Sequence, residues 1–294
     1  MSDTPPLPRP VPTSGDSLSG FLFALTAYLL WGFLPIYMKA LAHVPPFLLT
    51  GLCLLIGSLI ALPLSRFDWR QWRVPAPTLA LGVYGLFGYH FLLFIALRHA
   101  PPVQANLVNY LWPLGIVLMA PLFLPGMRLG VHHVLAALLG FAGAALAITG
   151  GRGAEATWAW GYIPALFAAF MWSSYSLMTQ RVAPFPTAAI GGFAALSGVL
   201  SLLCHVWLEP AVALSVQDGL LIALLGLGPL GGAFFLWDAA LKRGDARQIG
   251  VLSFITPLLS TLTLLVMQGE TPTLSVGLAA MMIIGAAVLA TRAR

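Results

Sequence analysis

The sequence predicts an all-α integral membrane protein: ten transmembrane helices arranged as two inverted five-helix repeats, with both termini in the cytoplasm. Three observations predict it. Of 294 residues, 59% are hydrophobic and only 8% charged, whereas a soluble domain is about 45–50% apolar and about a quarter charged; a soluble enzyme is ruled out. Asp, Glu, Lys and Arg are absent from ten runs of 19 to 29 residues, and a bilayer-spanning helix needs about 20. Finally, the second half of the chain repeats the first at a nearly constant offset.

Taken in order, the tail Met1 to Gly20 is rich in Pro and Ser, with no basic n-region and no cleavage-like site, and is expected to be retained and disordered. The ten runs are 17–38, 40–65, 74–97, 99–127, 129–151, 156–180, 182–208, 219–237, 248–269 and 271–291. None shows the ten-residue alternation of a transmembrane barrel, so each reads as a helix. The first carries Trp31 beside Gly32 and Pro35. Between the second and third, Trp69 and Trp72 flank a basic loop, and Trp158 and Trp160 open the sixth, as interfacial anchors do. The third offers Tyr84, Gly85, Gly88, Tyr89 and His90, and the sixth Trp172, Ser173, Ser174 and Tyr175. In the eighth, Gly226, Gly228, Gly231 and Gly232 surround Pro229. Cys53 and Cys204 lie inside apolar runs, where a thiol packs as a small hydrophobe; neither a disulfide nor a metal site is expected.

With a cytoplasmic N-terminus, the inner segments hold 11 of the Lys and Arg residues (Arg9, Arg66, Arg70, Arg73, Arg128, Arg181, Lys242, Arg243, Arg247, Arg292 and Arg294). The outer connections hold 3, namely Lys39, Arg98 and Arg152. That bias orients the chain. The net charge of +5 is dispersed between helices, not gathered on the one face that nucleic-acid binding requires.

Sliding the chain by 144 residues aligns 82–114 with 226–258 without a gap, and 10 of 33 pairs are identical, including Gly88/Gly232, Gln104/Gln248 and Pro113/Pro257. Ala27 and Trp31 fall on Ala168 and Trp172 at an offset of 141. The expected units are a tail over 1–18 and five-helix repeats over 19–150 and 158–291. An odd number of spans per repeat starts the second copy on the opposite side, and inverted repeats are a transporter signature.

The stripes point to a path. In the fourth span Asn106, Asn109, Tyr110 and Pro113 recur at helical spacing, and the ninth repeats the stripe as Gly250, Ser253, Phe254 and Pro257. A buried amide needs a partner, so Asn106 and Asn109 should face water or protein, either lining a cavity or bonding helix to helix. The candidate cavity-lining residues are Trp31, Tyr84, Asn106, Asn109, Tyr110, Trp112, Trp172, Tyr175, Ser253 and Phe254. Taken alone, Trp31 and Trp172 read as core packing rather than as a pair that stacks on a ligand. Pro113, Pro229, Pro257, Gly88 and Gly232 are candidates for bending or gating. Asp238 ends a long apolar run and reads either as an ion relay or as the partner of Lys242 at i+4. His90, His132 and His133 are further proton-carrying candidates, the last two expected to face headgroups. No paired carboxylates, metal-spaced His/Cys cluster or P-loop is visible, so no enzyme activity and no cofactor are expected.

The Ala-x-x-x-Trp start of both halves (Ala27 to Trp31, Ala168 to Trp172) and the ten-span duplication resemble the drug/metabolite transporter superfamily with its EamA-type repeats. The run Val108-Asn109-Tyr110-Leu111-Trp112-Pro113 resembles the motif of its YddG-like aromatic amino acid exporters. The resemblance implies export of aromatic amino acids, with Met and Thr as further substrates, across the bacterial inner membrane by alternating access. It also implies a central cavity between spans 1, 3, 4, 6, 8 and 9, and roles in it for Asn109, Tyr110 and Trp112. Expected partners are the amino acid substrate and the lipid bilayer, in a monomer or homodimer that binds no nucleic acid. Few buried ionisable groups favour facilitated export over proton coupling. A multidrug or small-metabolite exporter is the alternative.

Overall fold

The computed structural model describes residues 14–151 and 158–292. The tail reading at 1–13, and the tallied charges Arg9, Arg152 and Arg294, lie outside the described residues. The first helix begins at Ser14, inside the stretch assigned to the tail. The last tail proline is Pro12, so helix becomes possible immediately after it.

Among the described residues every regular element is helical. Nine segments among the described residues are long and apolar enough to cross a membrane. They are α1 (Leu18–Ala40), α2 (Pro46–Leu64), α3 (Ala76–His99), α4 (Pro102–Phe123), α5 (Val131–Thr149), α7 (Thr187–Leu208), α8 (Val216–Arg243), α9 (Ala246–Gln268) and α10 (Leu274–Arg292). Between α5 and α7, the sixth apolar run forms α6 (Tyr162–Met178), a helix of 17 residues.

The helices that carry Gly and Pro are interrupted, and repeat partners are interrupted at matching places. In α4 the helix stops after Asn109 and resumes at Trp112 with Pro113 in its first turn; in α9 it stops after Leu252 and resumes at Ile255, two residues before Pro257. A proline inside a turn has no N–H for the carbonyl four residues back, which is why the ladder fails there. In α8 the break spans Gly228–Gly231, and at the matching point of α3 the chain loosens into a π-turn over Tyr84–Gly88. Such turns concentrate at functional sites. Gly231 has no alternative: an added Cβ would lie 1.9 Å from the Gly226 carbonyl oxygen and 2.7 Å from Gly57 Cα. That absence of a side chain lets α8 touch α2 backbone to backbone.

The helices pack in matching pairs. α1 lies on α8 and α9 as α6 lies on α3 and α4, while α2 packs on α7, α4 on α9 and α5 on α10. The largest buried cluster gathers Tyr28, Trp112, Trp172, Tyr175 and Trp237 at its centre. Large apolar side chains such as Leu122, Val266, Leu274 and Ile284 point outward, exposed by 61–80%; an apolar surface of that kind is suited to lipid.

One polar network fixes the end of the bundle where α2 begins. The buried Glu209 carboxylate accepts from Arg98 Nη2 at 2.8 Å, from His205 Nδ1 at 3.0 Å, and from the backbone N–H groups of Phe47 and Leu48. It thereby caps the start of α2 and ties it to the ends of α3 and α7.

Candidate functional site: a central cavity floored by tryptophans

Between these helices lies a cavity of about 420 Å³, within the range of about 300–1,000 Å³ typical of small-molecule sites. It is lined from α1 by Trp31, Leu34, Pro35 and Met38, from α3 by Tyr89, His90, Leu93, Phe94 and Leu97, and from α4 by Asn106, Asn109, Tyr110 and Trp112. The far wall is Leu230 and Phe234 of α8 with Thr256, Pro257, Ser260, Thr261 and Leu264 of α9. A second opening, lined by Gln104, Thr149, Thr261 and Gln268, adjoins it between α4, α5 and α9. No lining side chain is Asp, Glu, Lys or Arg.

The floor is aromatic. Trp31, Trp112, Trp172 and Trp237 stand with ring centroids 5.6–6.4 Å apart, Trp172 stacked on Trp237 at 5.9 Å, the offset and edge geometries that aromatic quadrupoles favour. Trp31 donates its indole N–H to the Pro229 carbonyl at 3.0 Å, an acceptor available because α8 is interrupted there, and Trp237 donates to Ser176 Oγ at 3.1 Å. Beneath them, Tyr28 Oη donates to the Ile249 carbonyl at 2.6 Å, tying α1 to α9. Deeper still, Gly20 lies so close to Gly244 that an added Cβ would sit 2.8 Å from the Gly244 nitrogen. The cavity is therefore plugged at one end over several helical turns.

Two of its polar residues, Asn109 and Thr256, flank the helix breaks of α4 and α9. Asn109 Nδ2 donates to Tyr89 Oη at 3.1 Å, but its Oδ1 is buried without a partner among the described residues, as is Thr256 Oγ1. A buried polar atom left unpaired costs about 1–3 kcal/mol, so two of them in one cavity lining call for an explanation. His90 Nδ1 lies 2.6 Å from the Leu86 carbonyl. Since a carbonyl only accepts, Nδ1 carries the proton and Nε2 is left as an acceptor in the neutral ring.

Six of the ten predicted lining residues meet in this cavity: Trp31, Asn106, Asn109, Tyr110, Trp112 and Trp172. Four do not. Tyr84 Oη bonds Ser174 Oγ at 2.8 Å, Tyr175 is buried against Gly85, Ser253 Oγ bonds the Gly250 carbonyl at 2.6 Å, and Phe254 packs on Gly140 and Phe141. Each lies near the last cavity residue of its own helix, toward the plugged end. Of the bending candidates, Pro257 lines the cavity, Pro229 supplies the acceptor for Trp31, and Gly88 abuts Met171. Sequence reasoning passed over Thr50, Thr256, Ser260, Thr261 and Phe234, and noticed Tyr89 and His90 without assigning them to the wall. For Phe234 and Thr256 a signal existed: they are the repeat partners of His90 and Trp112. Asp238 is paired with Lys242, Oδ2 to Nζ at 2.5 Å, and lies outside the cavity lining.

A bundle of broken apolar helices around an uncharged, aromatic-floored cavity is the architecture of a membrane transporter. The chain belongs to the EamA-like transporter family, whose model matches residues 18–149 and again 159–292. It is a YddG-like member of the drug/metabolite transporter superfamily. It is 43% identical over 279 residues, 93% of this chain and 97% of the other, to the aromatic amino acid exporter YddG of Ancylobacter novellus. It is 26% identical to the exporter of that name from Escherichia coli K12, over 75% of this chain and 78% of that one. The uncharacterized inner membrane transporter YhbE of E. coli K12 is 27% identical over 81% of this chain and 78% of its own. A crystal structure 42% identical in sequence superposes with a TM-score of 0.86, covering 94% of this chain and 96% of that one. The protein is thus a multi-pass membrane exporter, and these relationships are those of a transporter, not an enzyme.

Proposed function

We propose that this protein exports aromatic and other neutral amino acids across the bacterial inner membrane by alternating access through the central cavity. The observation that carries the reading is the uncharged wall with two unpaired buried polar atoms, Asn109 Oδ1 and Thr256 Oγ1, beside the restarts of α4 and α9. A zwitterion answers that arrangement. Asn109 Oδ1 and His90 Nε2 accept from the ammonium group. The helix restarts at Trp112 and Ile255 present N–H groups and positive dipole ends to the carboxylate. The aromatic floor, with Tyr110 beside it, takes the side chain.

In this reading α6 is a tenth crossing, since 17 residues is the short end of what spans a bilayer. Residues 19–150 and 158–291 are the repeats, and they are inverted. The symmetric pairing of helices and the paired breaks support this. Both termini are cytoplasmic by the Lys/Arg bias. The plugged end carries Lys242, Arg243 and Arg247, so the conformation described is outward-open. With no charged side chain on the cavity wall, transport runs down the substrate gradient.

The test is a substrate panel in liposomes. Protein-containing vesicles loaded with labelled Phe, Trp, Met or Thr should release Phe and Trp faster than protein-free vesicles, at a rate insensitive to an imposed pH gradient. Release of none of the four overturns the reading. Release of a lipophilic cation in their place establishes the drug-exporter alternative.

A further inference from the structure

The repeat relation assigns a partner to each cavity residue, and those partners have a chemistry of their own. On α3 the lining residues Tyr89, His90, Leu93, Phe94 and Leu97 correspond, at the offset of 144, to Ala233, Phe234, Trp237, Asp238 and Leu241 on α8. At the offset of 141, Trp31, Leu34, Pro35 and Met38 of α1 correspond to Trp172, Tyr175, Ser176 and Thr179 of α6. All of these partners are buried, at 5% exposure or less; Trp172 and Phe234 border the outward cavity, and the others lie at or beneath the tryptophan floor. The surfaces that are closed are thus the counterparts of the surfaces that are open. When the two repeats exchange conformations, the plug becomes the wall of a cavity open at the other end.

That second cavity is not a copy of the first. Leu34, Pro35, Met38 and Phe94 give way to Tyr175, Ser176, Thr179 and Asp238. Asp238 is the one charged side chain in the set. It is buried, and its Oδ2 accepts from Lys242 Nζ at 2.5 Å and from Thr187 Oγ1 at 2.7 Å. Lys242 also donates to the Phe185 carbonyl at 2.9 Å and lies 4.1 Å from the centroid of the Phe185 ring. Thr187 begins α7 and is close to the partner of Pro46, which lines the outward cavity from the start of α2. The Asp238 network thus ties α8 to the start of α7 across a seam that the exchange would open.

We propose that Asp238 is the amino-group acceptor of the inward-facing form of the site, where a ligand's primary ammonium takes the place that Lys242 Nζ and Thr187 Oγ1 hold in the closed plug. The inference rests on the exporter reading above and adds to it a carboxylate that the ligand meets on the loading side alone. Export would then begin at a site with a charged anchor and end at one without, which favours release.

The experiment measures labelled Phe uptake into inside-out membrane vesicles, whose cytoplasmic face is outward, with phenethylamine (amine only) and 3-phenylpropionate (carboxylate only) as competitors. For Asp238→Asn, the half-saturating Phe concentration and the inhibitory concentration of phenethylamine should both rise about tenfold, the effect of losing one charge-assisted hydrogen bond. The inhibitory concentration of 3-phenylpropionate should stay within about twofold, and half-saturation by Phe in right-side-out vesicles should do the same. Equal shifts for all three compounds, or none, overturn the assignment and leave a purely structural ion pair. If Asp238→Asn does not accumulate in the membrane, Asp238→Asn with Lys242→Gln removes both charges, leaves no unpaired lysine, and is read by the same criteria. Absence of Phe uptake by the unaltered protein rejects the exporter reading itself, whereas uptake without selective loss in the variant rejects the role of Asp238 alone.

Discussion

Asn109 and Thr256 are the residues at which a working site and mere packing make different predictions, because of the seven buried polar side-chain atoms without a partner among the described residues theirs are the two that line the cavity. Evolution for stability alone would remove such atoms. Thr256→Val, which keeps the shape and deletes the hydroxyl, should therefore raise the unfolding midpoint in detergent, by the equivalent of about 1 kcal/mol, while slowing Phe efflux severalfold. A variant that is both destabilised and fully active would show that the hydroxyl serves the fold. Trp172 behaves differently. It contacts Trp31, Tyr89, Trp112, Tyr175, Phe234 and Trp237, so truncation to Ala should cost about 3–5 kcal/mol and report on folding. Trp172→Phe keeps the aromatic floor and should leave the melting temperature within a few degrees while it weakens Trp and Phe transport. The motif Asn109, Tyr110 and Trp112 was legible in the sequence because the polar and aromatic residues of α4 sit together around its break. Thr256 is legible only through its repeat partner Trp112, since a Thr in an apolar run, taken by itself, looks like any other small residue.

At the scale of the element, the Gly and Pro positions read from sequence are where the helices of α4, α8 and α9 are interrupted and where α3 loosens into a π-turn. The four unplaced residues share one reason. Asn109 and Tyr110 of α4 correspond to Ser253 and Phe254 of α9, but the cavity takes the residues of α4 up to its restart at Trp112 and those of α9 beyond its own restart at Ile255. Two helices that run in opposite directions through one cavity behave that way. Tyr84 and Tyr175 fall on the plugged side for the same reason. A spacing rule holds only within one continuous helix, and repeat equivalence identifies the partner in the other state. Two substitutions follow from this geometry. Pro257→Ala restores an N–H to the broken turn and should slow transport without loss of folded protein, measured as efflux per folded molecule. Gly57→Leu places a side chain where even a Cβ lies 2.7 Å from Gly231 Cα, and should prevent α2 from packing on α8. The expected readout is a loss of monodisperse protein on size-exclusion chromatography.

For the whole molecule, the scarcity of charge did most to make the fold legible: nine of the ten gaps between charges hold the apolar helices long enough to cross a membrane among the described residues, and the family model matches over 18–149 and again over 159–292. Which end of the cavity is open could not be read from sequence, because residue spacing says nothing of how the helices close on one another. That choice depends on close contacts such as Gly20 with Gly244 and Tyr28 with Ile249. Gly20→Leu wedges this closure apart. It should increase labelling, by an impermeant reagent from the cytoplasmic side, of a cysteine placed at Tyr175 in a protein lacking Cys53 and Cys204; unchanged labelling would mean that the plug closes elsewhere.

The most direct test of the account is efflux of labelled Phe from liposomes containing either the unaltered protein or Asn109→Ala, compared at equal amounts of folded protein. The substitution removes an unpaired carbonyl along with the bond to Tyr89, so the fold should survive it. The account predicts rapid release by the unaltered protein and about tenfold slower release by the variant, the loss expected from one polar contact to a charged ligand group. Release by the unaltered protein no faster than from protein-free liposomes, or equal release by both proteins, would contradict it.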